Sequence, residues 1–106
     1  MKTNHRIIYV DIDETICTTP ESRKYEDAVP IQDNIDKINN LYEDGHTIVY
    51  WTARGSRTQK DWSELTRTQL NLWGAKFHEL RMGKPAYDLF IDDKNINSDA
   101  YFGITE

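Results

Sequence analysis

The chain has 106 residues, 38% of them hydrophobic, and a formal net charge of −5. That suits one domain with one core, and it gives no broad basic face for nucleic-acid phosphates. A single cysteine excludes an intramolecular disulfide framework, and with no signal-like or long apolar run the expected setting is a reducing cytoplasm without membrane attachment.

Arg6–Val10 reads as a first strand: continuous, apolar and rich in β-branched residues, as expected when both faces are covered. Asp11-Ile12-Asp13-Glu14-Thr15 follows it directly. The polar stretch from Cys17 to Val29 reads as a small flap, and Pro30 as a helix opener. Ile35, Ile38, Leu41 and Tyr42 keep helical spacing up to the stop at Gly45. Thr47–Trp51 is a second buried strand, with a turn at Thr52-Ala53-Arg54-Gly55-Ser56. A second helix is expected over roughly 58–73, placing Trp62, Leu65, Leu72 and Trp73 broadly on one side, with Gly74 ending it. Ala75–Leu80 reads as a short third strand, 81–84 as a loop and Tyr87–Ile91 as a fourth strand ending at Asp92-Asp93. The tail Ala100–Ile104 is apolar enough to pack down.

Alternating strands and helices imply right-handed crossovers and a parallel sheet. The expected fold is α/β: a Rossmann-like three-layer αβα sandwich spanning 1–106, with a flap at about 17–29. The first strand is expected at the centre, between the second and the fourth. Asp11, Thr52 and Asp92 then meet at one sheet edge, where open α/β sheets keep their ligands. Two carboxylates as close as Asp11 and Asp13 need a cation, a shared proton or a hydrogen-bond network.

Taken singly, these residues have ordinary explanations: Asp and Thr cap turns, and a Lys before Pro lies at the surface. Their conjunction and order carry the signal. Asp11-x-Asp13-x-Thr15, then Thr52, Lys84 and Asp92-Asp93 together resemble the haloacid dehalogenase-like phosphohydrolase superfamily, over nearly the whole chain from Ile7 to about Asn97. The sequence departs from that pattern at Glu14, where many members have Gly. It departs again at Lys94-Asn95-Ile96-Asn97, where a further acid often stands; Asn97 is a candidate to orient a metal-bound water instead.

The resemblance implies a Mg²⁺-dependent phosphatase. Asp11 would be the nucleophile, forming an aspartyl-phosphate, and Asp13 the acid and then the base. Thr52 and Lys84, with the backbone N–H groups of Ile12 and Ala53, would bind the phosphoryl oxygens. Asp11, Asp13, Asp92 and Asp93 would hold Mg²⁺. Gly55–Met82 and the flap are too short for a folding insert, so the member would be capless, its site covered by the flap or a neighbouring subunit. Arg23, Lys24 and Tyr25 on the flap, with Arg54 and Arg57, are candidates to meet the leaving group. The segment Gly83–Lys94 looks like short phosphatases of capsule and surface-polysaccharide synthesis, which points to a sugar phosphate or similar small metabolite; the open, capless site separately implies either a homo-oligomer whose neighbour acts as the lid or a large substrate such as a phosphorylated macromolecule. Nucleic-acid end-processing phosphatases share the same core, although the acidic balance weighs against them. A receiver-like signalling module has a different motif order, and an inactive scaffold would not need the acids. His5, His46 and His78 lack metal-ligand spacing, and the expected place of Cys17 is in the packing.

Overall fold

A computed structural model describes residues 4–103. Strand β1 (Ile7–Val10) leads to a two-stranded antiparallel ribbon, β2 (Cys17–Thr18) and β3 (Val29–Pro30), with a 3-10 turn at Tyr25–Asp27 between them. Helix α1 (Gln32–Glu43), β4 (Thr47–Trp51), α2 (Ser63–Leu72), β5 (Glu79–Arg81) and the short α3 (Ser98–Tyr101) follow. β1, β4 and β5 form one parallel sheet in that order, with Ile7 opposite Thr47 and Val10 opposite Tyr50. The fold is α/β with a mainly parallel sheet and no cap, consistent with the αβα arrangement expected.

The core gathers alternate residues of the sheet, Val10, Ile48 and Tyr50, under Ile35 and Ile38 of α1 and Leu70 of α2. Ile12, Ile16 and Cys17 close its upper end, all at 0% exposure. The other set of β1 side chains is open: Ile7 is 66% and Tyr9 48% exposed. His46 and His78 serve the strand ends, their Nδ1 atoms accepting from the Arg6 and Ile48 N–H groups at 3.1 Å.

Several expectations are corrected. Pro30 does not open a helix. It pairs with Cys17 in the flap ribbon, where its missing N–H is tolerated at an edge, and α1 begins at Gln32. The second helix begins only at Ser63. Residues before it are held in a turn in which the Asp61 carboxylate accepts from both the N–H (2.9 Å) and the hydroxyl (2.6 Å) of Ser63. Its buried residues are Thr66, Gln69 and Leu70, whereas Leu72 is 79% exposed. The third strand lies later than 75–80 because Ala75 and Phe77 pack into the core and ladder pairing starts at Glu79.

The largest correction concerns Tyr87–Ile91, which is not a strand here. β4 therefore takes the centre, and β1 lies at an edge of the sheet. The segment stands away from the core, with Leu89 76% and Ile91 85% exposed. The tail packs as far as it is described: Phe102 lies against the core, and its carbonyl accepts from Lys37 Nζ at 3.0 Å; Ile104 lies outside the described residues.

Candidate active site

The C-terminal ends of β1 and β4 open into a cleft of about 630 Å³ lined by Asp11, Asp13, Ala53, Lys84 and Tyr87, with Arg23, Arg57 and Lys60 also contributing. Asp11 leaves the end of β1. Lys84 Nζ lies 3.3 Å from its Oδ1, and the Thr15 hydroxyl donates to its Oδ2 at 3.2 Å. Lys84 is placed by its own backbone, its N–H donating to the Thr52 carbonyl at 3.0 Å and its carbonyl accepting from Ser56 Oγ at 2.6 Å. Burial raises the proton affinity of Asp11, and the Lys84 charge offsets only part of that rise, so its pKa lies above the ordinary value.

Asp13 is held differently. Burial pushes its pKa up, but hydrogen bonds from Arg54 and Thr19 and the Arg54 charge outweigh it, and the net shift is downward. Arg54 Nε lies 3.0 Å from Asp13 Oδ2, and Nη2 2.9 Å from Oδ1. The Thr19 hydroxyl donates to Oδ1 at 2.5 Å. The other side of the guanidinium is also engaged: Nη1 donates to Thr66 Oγ1 at 3.1 Å and to Gln69 Oε1 at 2.6 Å. The plane lies over the Tyr25 ring at 4.7 Å. The side chain of Arg54 is 0% exposed. It is therefore not free to meet a leaving group, as the sequence suggested; it positions Asp13. Sequence reasoning missed this role. A signal was present in Thr66 and Gln69, two polar residues three apart on the helix face that also buries Leu70, because a buried polar pair needs a partner.

The remaining expectations divide. Thr52 is 1% exposed at the end of β4, its Oγ1 accepting from the Arg54 N–H at 3.1 Å. Ala53 lines the cleft, and the Ile12 N–H bonds the Asp11 carboxylate. Arg23 lines the cleft and pairs with Glu14 at 3.1 Å, while Lys24 precedes the 3-10 turn and is not among the lining residues. Glu14 adopts a left-handed φ of 64°, which explains why glycine suits the position. Its carboxylate compensates by accepting from the Thr19 N–H at 2.9 Å, tying the flap to the loop.

Asp92 and Asp93 do not reach this cleft. The Asp92 carboxylate accepts from the Lys94 N–H at 3.0 Å, and Asp93 pairs with Lys94 Nζ at 3.1 Å, both in exposed chain. Asn97 caps α3, its side chain accepting from the Asp99 N–H, and orients nothing in the cleft. Among the described residues no three His, Cys, Asp or Glu side chains converge where they could hold a metal ion. Mg²⁺ favours an octahedral set of oxygens. Without Asp92 and Asp93 the expected set is reduced to the Asp11 carboxylate and the Asp13 main-chain carbonyl, the Asp13 carboxylate being committed to Arg54, so the single-chain donor set is incomplete for the ion.

No family model matches the chain, and no curated protein matches it. A solved structure does: the crystal structure of a structural-genomics target from Vibrio cholerae, at a TM-score of 0.83 and 21% identity. The match covers 96% of this chain and 90% of that one. At this identity the likeness carries the fold alone. Among the described residues no helix is long and apolar enough to cross a membrane.

Proposed function

We propose that the protein hydrolyses a phosphate monoester by the chemistry of haloacid dehalogenase-like phosphohydrolases, with a sugar phosphate or similar small metabolite as substrate. The observation that carries this reading is the unequal treatment of two neighbouring acids in one cleft. Asp11 is partly desolvated beside a cation at 3.3 Å, and Asp13 is clamped as a carboxylate by a buried Arg54. A shared structural role would not need two separate counter-cations.

In this mechanism an Asp11 carboxylate oxygen attacks phosphorus in line, and the phosphorus–oxygen ester bond breaks. Lys84 neutralises the incoming phosphoryl oxygens. Its pKa is itself raised: burial pulls it down, but the Asp11 charge and the Tyr87 contact more than compensate, so it stays charged. Asp13 carries a proton to the leaving alkoxide and later takes one from the water that attacks the aspartyl-phosphate. The free cleft favours its ionised form, and a bound phosphate dianion beside it raises its proton affinity as a like charge. Binding thus prepares the acid. The basic rim of Arg23, Arg57 and Lys60 supports an anionic small ligand.

The test is phosphate release over sugar phosphates, nucleotides and end-phosphorylated oligonucleotides, with Mg²⁺ or with EDTA. We expect turnover on small esters and a loss of about 10³-fold or more in Asp11→Asn. Undiminished turnover in that variant would remove the nucleophile assignment. Release from oligonucleotides alone would replace the small-metabolite reading, and a single uptake from a phosphodonor without turnover would identify a receiver-like module.

A further inference from the structure

We propose that the strand missing from the sheet is supplied by a second copy of the chain: Tyr87–Ile91 of one subunit adds to the open edge of β1 in the other and delivers its Asp92 and Asp93 to that subunit's Asp11. The inference rests on the phosphohydrolase reading for its chemistry and on the following geometry for its topology.

The donor segment lacks strand pairing, its backbone meeting only local side chains: Asn95 Nδ2 donates to the Phe90 carbonyl at 3.3 Å and the Lys94 N–H to Asp92 at 3.0 Å. Among the described residues, no backbone group of residues 85–96 makes a backbone–backbone hydrogen bond. The same stretch exposes Leu89 (76%), Phe90 (47%), Ile91 (85%) and Ile96 (63%). A polar loop would expose its backbone, but it would not present four large apolar side chains with it. The acceptor is equally open. Arg6 turns its carbonyl toward β4, accepting from the Thr47 N–H at 2.9 Å. Alternation along a parallel ladder then points the backbone groups of Ile7 and Tyr9 away from β4, at an edge with no neighbour in the sheet among the described residues. The exposed side chains of Ile7 and Tyr9 extend the same apolar surface.

The segment cannot fill that edge in its own chain and still bring the acids to the site. Lys84 is anchored level with Thr52, at the C-terminal end of β4. A parallel strand that ends with Asp92 near Asp11 must start roughly level with Ile7 and Thr47, which are paired. That start lies about 15 Å below Lys84 at ~3.3 Å per residue. The three steps from Lys84 to Tyr87 reach at most about 11 Å. A parallel connection ordinarily takes a dozen residues or more. A second copy is free of this limit. Its strand runs parallel to β1, and its acidic pair arrives at the C-terminal end beside Asp11. The exchange also accounts for the failure of the single-chain donor set: the missing carboxylates belong to the neighbour, and together with Asp11 they make an oxygen-rich set that suits a hard divalent cation.

The experiment uses the full chain and three measurements. Light scattering after size exclusion should show a dimer or higher closed assembly. Leu89→Asp with Ile91→Asp should yield a monomer that keeps a cooperative thermal transition, since both side chains are exposed within one chain, with the far-ultraviolet change confined to the loss of the donated strand. A monomeric wild type, or an assembly indifferent to both charges, would overturn the exchange. Mg²⁺ titration by calorimetry should show binding to the assembly that weakens at least about tenfold in the monomer, because half of the ligand set leaves with the neighbour. Equal Mg²⁺ affinity in both would refute the shared site. Mixing Asp11→Asn subunits with Asp92→Asn, Asp93→Asn subunits should restore up to about a quarter of wild-type turnover, the share of intact sites in a randomly mixed dimer. No recovery in a verified mixed assembly would overturn delivery in trans. If the assembly dissociates with the two charges but no phosphate ester is hydrolysed, the exchange stands and the phosphatase reading falls.

Discussion

Replacing Arg54 probes the part of the site on which the proposed acid–base residue depends. The side chain is wholly buried, and its guanidinium bonds Asp13, Thr66 and Gln69. Arg54→Ala leaves a carboxylate that is only 16% exposed without its counter-charge, and removes the donor shared by Thr66 Oγ1 and Gln69 Oε1. Breaking a buried pair from one side costs about 3–5 kcal/mol. Against a total stability of about 5–15 kcal/mol, the alanine variant retains little reserve. Arg54→Lys keeps the charge but loses the fork that grips both Asp13 oxygens, and should lose about 2 kcal/mol.

In urea, with a slope of about 1–3 kcal/mol/M for a small domain, the lysine variant should unfold roughly 1 M earlier at pH 7. The penalty should depend on pH in a definite direction. Asp13 has a folded pKa below its ordinary 3.8, so its stabilisation is complete above about 3.8 and is lost as pH falls through the lower folded value. The gap between wild type and Arg54→Lys should therefore be full at neutral pH and narrow below pH ~3.8. A cycle with Asp13→Asn should show coupling of at least about 1 kcal/mol. A loss under ~0.5 kcal/mol in Arg54→Ala, or strict additivity in the cycle, would refute the clamp.

Three further outcomes follow from single positions. Gly55 has φ +83°, and a Cβ there would lie 2.1 Å from the Lys60 carbonyl oxygen, so Gly55→Ala should lower the melting temperature by about 10 °C or more. Among the described residues the buried Tyr50 hydroxyl has no hydrogen-bond partner, so Tyr50→Phe should raise stability by about 0.5–1.5 kcal/mol in the same urea titration. Cys17 is 0% exposed, and burial, with the Asp13 charge, pushes its thiol up to about 12. At pH 8 it should react with a disulfide reagent about 100-fold more slowly in the native chain than in urea.

Much of the sheet and the site's first two acids were legible because local pattern decides them. Ile7–Val10 and Thr47–Trp51 are continuous β-rich runs, the first ending at Asp11 on the cleft and the second at Thr52, which is buried beside it and absent from its lining. Tyr87–Ile91 has the same local character, yet its placement depends on how far Lys84 lets the chain reach, and no periodicity records a tether. Arg54 was misread for a related reason. An arginine three residues beyond a strand is usually solvated, and only the three-dimensional meeting of Asp13, Thr66 and Gln69 keeps this one inside. The start of α2 shows the limit at short range, because Asp61 satisfies Ser63 locally and stops a helix that the apolar spacing would have carried further back.

Charge counting ties the site to the proposed exchange and yields one more expected result. In one chain the two acids Asp11 and Asp13 are each matched by one close cation, Lys84 and Arg54, and Arg23, Arg57 and Lys60 stand at the rim rather than against the carboxylates. Delivery of Asp92 and Asp93 from a neighbour would add two negative charges with no new side-chain cation except Lys94, whose ammonium now pairs with Asp93 in exposed chain. Repulsion among carboxylates a few ångströms apart opposes assembly, whereas a divalent cation bound between the subunits favours it by linkage. Sedimentation should therefore give a dimer that is tighter by about tenfold or more in millimolar Mg²⁺ than in EDTA. Asp92→Asn with Asp93→Asn should make assembly tighter in EDTA and nearly indifferent to Mg²⁺. An assembly equally tight in both conditions, and unmoved by that substitution, would mean that the acidic pair lies outside the interface. The exchange would then have to be rejected even if the chain is dimeric.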